Sequence, residues 1–133
     1  MKELSIEDKE LLLKDLSTRL PYHTIVSAGE EDLELVKVDI LNEKVYLFSE
    51  SFLEFDVFEI KPYLRPMSSM TEEERNEYFD FRSQELQRVA FAEVGREEAI
   101  SEVMDWLLSH HFDIRGLIGK GLALEAPEGM YGI

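Results

Sequence analysis

The chain has 133 residues, no cysteine and a formal charge of −15 at neutral pH, and 44% of its residues are hydrophobic. Those totals fit one domain with a real core. They exclude a disulfide scaffold, a thiol nucleophile and every cysteine-based zinc or iron–sulfur site.

Residues 1–21 read as a helix. Ser5 is a good N-cap, and Asp8 stands three residues on, where a capping-box partner belongs. Ile6, Leu12, Leu13, Leu16 and Leu20 then form one stripe at helical spacing, and Pro21 stops it. Residues 22–66 change character. Thr24–Ser27, Leu33–Leu41, Lys44–Ser49 and Leu53–Val57 are short, rich in Val, Ile, Leu and Phe, and separated by turn signals at Gly29–Asp32 and Asn42-Glu43. Leu33 and Leu35 lie on one parity and Val36, Val38 and Ile40 on the other, which predicts a bulge near Val36. Connections this short require antiparallel pairing. The expected product is a small, strongly bent sheet or an SH3-like barrel. Asp56–Pro66 fits a helical turn feeding a last short strand, which its two prolines confine to an edge.

Residues 67–133 are expected to be helical with a packed tail. Thr71 and Glu74 make a capping box, and Glu72, Glu73 and Glu74 suit the positive end of a helix dipole. This helix is expected over 72–94, with Gly95 as its C′ residue. Its apolar residues (Tyr78, Phe79, Phe81, Leu86, Val89, Ala90, Phe91) go more than halfway round, so it packs on two sides or meets a second copy of the chain as a homodimer. Glu97–His111 carries a clean stripe, Ile100, Val103, Met104, Leu107 and Leu108, which reads as core. Trp106 lies off that stripe. In the tail, Asp113 is placed to cap a short helix from Ile114 that Lys120-Gly121 would end. The fold class is therefore α+β: an N-terminal helix, a small antiparallel sheet, then C-terminal helices and a tail, all in a single domain over 1–133.

Sequence chemistry narrows function by exclusion. His110, His111 and Asp113 form the one cluster with metal-ligand chemistry, with Glu102 and Asp105 on preceding turns. Adjacent helical residues diverge by about 100°, however, unlike the i, i+4 pair of helical zinc sites. A structural role is favoured, and no metal or cofactor is assigned. Gly116–Gly121 lacks the spacing of a phosphate loop and follows a helix instead of a strand. None of the ten serines sits in a nucleophile elbow, so no catalytic residue is assigned. Residues 1–66 hold 8 basic and 15 acidic side chains, and residues 67–133 hold 6 and 14. Neither half hides the Lys/Arg cluster that phosphate binding needs, so direct nucleic-acid binding is not expected. No apolar run approaches the roughly 20 residues that span a bilayer. The opening Met1-Lys2-Glu3-Leu4 lacks the apolar stretch of a signal peptide, and the cytoplasm is the expected compartment.

Two long blocks carry a resemblance. Ile60-Lys61-Pro62-Tyr63-Leu64-Arg65-Pro66-Met67-Ser68-Ser69-Met70-Thr71-Glu72-Glu73-Glu74 is one. Trp106-Leu107-Leu108-Ser109-His110-His111-Phe112-Asp113-Ile114-Arg115-Gly116-Leu117-Ile118, continuing through Lys120-Gly121-Leu122-Ala123-Leu124-Glu125-Ala126-Pro127-Glu128-Gly129-Met130-Tyr131, is the other. Together they resemble a family of small uncharacterised proteins from gut Bacteroidales and their phages or prophages. The resemblance implies a phage or mobile-element accessory protein and carries no activity with it.

The function expected is a non-enzymatic protein-interaction or adaptor module, with Tyr63, Arg65 and Trp106 as candidate protein contacts. The alternative is an acidic decoy that imitates DNA charge and blocks a nucleic-acid-binding host protein. A third reading is an enzyme or small-ligand protein using scattered acids with His110 or His111.

Overall fold

The computed structural model describes residues 4–132. Met1–Glu3, at the start read above against a signal peptide, and Ile133, the last residue of the tail, lie outside them. The first helix, α1, is Ile6–Thr18, and Ser5 caps it by accepting the Asp8 N–H at 3.0 Å. Its Leu12, Leu13 and Leu16 are buried. Each contributes about 1.5–3 kcal/mol by leaving water.

Five antiparallel strands follow: β1 (Ile25–Ala28), β2 (Glu31–Asp39), β3 (Lys44–Phe48), β4 (Phe52–Asp56) and β5 (Ile60–Leu64). Their spatial order is β4-β3-β2-β1-β5. Gly29, at φ 69°, takes the first central position of the β1–β2 hairpin, as a type II′ turn requires. The predicted bulge is present. Leu35 pairs with Leu47 and Lys37 with Tyr46, which leaves Val36 as the extra residue. The bulge lets Leu33 and Leu35 before it and Val38 after it reach one core, with Val26, Val45, Leu47, Ile60 and Leu64. The β2–β3 connection is a four-residue loop, Ile40–Glu43, where the sequence predicted a two-residue turn. Asp39 holds it by accepting from the Asn42 backbone N–H and side-chain amide.

The sheet bends without closing. β4 and β5 are four strand spacings apart, about 19 Å in a flat sheet. They are joined by a single 3-10 turn, Val57–Glu59, and a four-residue step reaches at most about 14 Å. The sheet must therefore curl to bring its ends near each other. Among the described residues no ladder joins β4 to β5, so the barrel alternative is not realised. The sheet is also mixed: β6 (Leu124–Glu125), from the tail, pairs parallel with Tyr63 and Leu64. Consequently β5 is not the edge expected from its prolines. The β6 ladder begins one residue after the donor-less Pro62, so no hydrogen bond is lost there. The core lies between the sheet, α1 and the tail residues Leu117, Leu122 and Ala123.

Two helices complete the chain, α2 (Glu72–Ala90) and α3 (Arg96–Ser109). The capping box predicted at Thr71 and Glu74 is formed in both directions. However, α2 stops at Ala90, four residues before the expected end. The left-handed residue that closes it is Ala92, at φ 57°. Ala92 N–H donates to Val89 O and Glu93 N–H to Arg88 O, the bond pair of a Schellman motif. Gly95 is instead the N-cap of α3, at φ −75°. The tail helix expected from Ile114 is replaced by turns. Asp113 does cap them, accepting Leu117 N–H at 2.9 Å and Ile118 N–H at 3.0 Å.

Candidate functional site

The three candidate contacts fall in different settings. Arg65 follows β5 and is 7% exposed. Its guanidinium grips Glu74 bidentately at 2.7 and 2.6 Å, donates to His110 O at 3.1 Å and lies 4.3 Å from the centroid of the Phe112 ring. Glu74 also accepts the Thr71 N–H, so the capping residue of α2 is the anchor for Arg65. The Arg65 hydrogen bonds hold the Glu74 carboxyl down at about 2. Trp106 is half-buried. It stacks on His110 at 4.0 Å and Phe112 at 6.4 Å and meets Tyr78 of α2 at 5.5 Å. Phe112 thus brings Arg65 and Trp106 into one junction at the base of α2 and α3. Tyr63 stays on the sheet, where its hydroxyl donates to Asp32 at 2.9 Å.

The histidines take structural settings at this junction. His110 uses Nδ1 on the Trp106 carbonyl at 2.9 Å. His111 is the left-handed C′ residue of α3, at φ 65°, with His111 N–H donating to Leu108 O and Phe112 N–H to Leu107 O. Its ring stacks on Tyr131 at 3.6 Å. Burial, reinforced by the nearby Arg19 and Arg65 charges, pushes its pKa down to about 4. Among the described residues no group of three His, Asp or Glu side chains is placed to hold a metal ion.

A buried ionic cluster lies beyond the sequence reading. Arg19 and Asp15 are both fully buried and paired at 2.7 Å, with Arg115 adding a contact to Asp15 at 2.8 Å and Arg19 donating to Phe112 O at 2.9 Å. The signal was present: Asp15 and Arg19 are spaced i, i+4 beside the buried Leu12 and Leu16 of α1. The cluster ties α1 to the segment that follows α3.

The hairpin of α2 and α3 is the surface that stands out. Its sequence stripe in α3 was expected to be core, yet only Ala99, Leu107 and Leu108 are buried, and Ile100 is 55% exposed. In α2 the two buried side chains are both acids, Glu74 and Glu85. Phe79, Leu86 and Phe91 are 52%, 63% and 76% exposed. The reason is geometric: α2 and α3 pack on each other, and what stands opposite the stripe is the other helix, which leaves Val103 and Met104 half-buried and Ile100 exposed. A groove of about 390 Å³ runs between them, walled by Leu86, Val89, Ala99, Ile100, Val103 and Met104. The over-wide apolar pattern of α2 was the sequence signal for this face.

These features define an α+β protein that presents a helical hairpin with an uncovered apolar side. No family model matches the chain, and no curated protein or solved structure matches it significantly. No helix among the described residues is long and apolar enough to cross a membrane.

Proposed function

We propose that this chain is a non-enzymatic protein-interaction module, an accessory protein of a phage or mobile element acting in a bacterial cytoplasm, and that it engages its partner through the α2–α3 hairpin. The observation that supports this reading is the exposure of Leu86 and Ile100, one from each helix, on the walls of one apolar groove. Contiguous exposed apolar surface rimmed by polar groups marks a contact surface. The hairpin takes precedence over Tyr63, Arg65 and Trp106 because the Arg65 guanidinium is engaged inside the protein and Trp106 is largely covered by its aromatic neighbours. The test is capture from a Bacteroidales lysate on the immobilised full chain, washed at low and high salt. A partner held at both salts by the wild type and released by Leu86→Asp and Ile100→Asp supports the reading. Equal capture by the variants, with circular dichroism unchanged, sinks it.

A second reading, the acidic decoy, is favoured by nine exposed carboxylates between Glu72 and Asp105 on the same hairpin. A decoy would hold a nucleic-acid-binding protein at low salt and release it at high salt, because it replaces a phosphate array.

A further inference from the structure

We infer that the groove between α2 and α3 takes an amphipathic helix of a basic partner, one of whose Lys or Arg side chains answers the Glu85 carboxylate. The inference rests on the reading of the hairpin as a contact surface and adds the chemistry of what covers it.

Glu85 lines the groove and is 5% exposed. Its Oε1 accepts from Arg88 at 2.8 Å, whereas its Oε2 is buried and meets no donor. Buried carboxylate oxygens are nearly always answered, because water has been removed and nothing has replaced it. Arg82 and Arg96 also line the groove, and neither supplies that donor. The rest of the lining is apolar. The site therefore asks for one cationic donor set among apolar side chains, which is what an amphipathic helix carrying a single Lys or Arg in its apolar stripe presents. Arg82, Arg96 and Met104 are the long, unbranched side chains of the lining.

Charge selects the same partner. Residues 72–109 hold four arginines against eleven carboxylates, a net of −7, within a chain of −15. That field acts on a basic partner at long range and repels nucleic acid, whereas within the groove the charged lining is Arg82 and Arg96 beside Glu85, so there only the unanswered Glu85 oxygen calls for a cation. It also opposes a second copy of the chain, since two hairpins of −7 would have to face each other.

The test is selection of a displayed library of amphipathic helices against the immobilised full chain, alongside gel filtration of the free protein. The expected helices share one Lys or Arg flanked by apolar residues at i±3 and i±4, and they lose binding to Leu86→Asp. For a selected peptide, Glu85→Gln weakens binding at least tenfold, while the peptide with norleucine in place of its basic residue binds wild type and Glu85→Gln alike. Leu86-dependent helices with no basic residue would overturn the partner chemistry and leave the contact surface standing. A dimer that Leu86→Asp dissociates would make a second copy the occupant and overturn the inference. A monomer for which no Leu86-dependent helix is selected would overturn both the inference and the contact reading.

Discussion

Arg65 and Glu74 meet through two parallel hydrogen bonds, Nη1 to Oε2 at 2.7 Å and Nη2 to Oε1 at 2.6 Å, and the pair pins the first turn of α2 to the end of β5. Both side chains are about nine-tenths buried. Removing one partner leaves the other charge stranded away from water. Glu74→Gln should cost about 3–5 kcal/mol of stability in urea titrations at pH 7. Arg65→Met combined with Glu74→Gln should recover much of that loss, since no buried charge is then left unpaired. A single-variant loss below about 1 kcal/mol would show that the pair does not carry the junction.

Acid should weaken the protein in two steps. His111 falls from 6.5 when unfolded to about 4 when folded. The unfolded chain binds the extra proton between those values, so stability is complete above about pH 6.5 and falls as the pH drops toward 4. Glu74 falls from 4.5 to about 2, so its contribution is complete above about pH 4.5 and is lost as the pH drops toward 2. Each step is on the order of 3 kcal/mol. His111→Asn keeps a residue that tolerates the left-handed backbone. Its urea midpoint should change much less between pH 7 and pH 5 than that of the wild type.

Glycine and the left-handed position are three residues apart at the α2–α3 corner. Ala92 adopts φ 57° with a side chain, and Gly95 adopts an ordinary φ of −75° without one. Ala92→Gly should stabilise the protein by about 1 kcal/mol by removing the strain of an L-residue there. A Cβ on Gly95 would meet open space. Gly95→Ser should add a few tenths of a kcal/mol by capping α3, which has no side-chain cap of its own. Thermal midpoints measure both, and a fall for Ala92→Gly would contradict the Schellman assignment.

The Tyr131 hydroxyl staples the tail to the sheet, accepting Ile25 N–H at 2.9 Å and donating to Tyr63 O at 2.8 Å. Tyr131→Phe removes both bonds and leaves a backbone donor and an acceptor unanswered. A loss of about 1–3 kcal/mol in urea titrations is expected.

Substitutions on the exposed stripe should separate binding from folding. Leu86 and Ile100 are more than half exposed, so Leu86→Asp and Ile100→Asp should leave stability within about 0.5 kcal/mol. A large loss on urea titration would mean that these side chains are core and not contact surface.

The sequence by itself determined part of the local structure. Ser5 and Thr71 announced two helix starts, the parity switch around Val36 announced the bulge, and alternation between short turns announced the strands, because each depends on neighbours within a few residues. Spacing could not reveal what a stripe would face. Ile100, Val103 and Met104 have the pattern of a core helix, yet burial depends on what stands opposite, and here that is a second helix with no sheet behind it. Nor did local pattern show that Arg65 turns inward. Its environment comes from Glu74, nine residues on, and from His110 and Phe112, more than forty residues on. The openness of the sheet and the addition of β6 were likewise decided by tertiary structure, since both depend on where the tail returns.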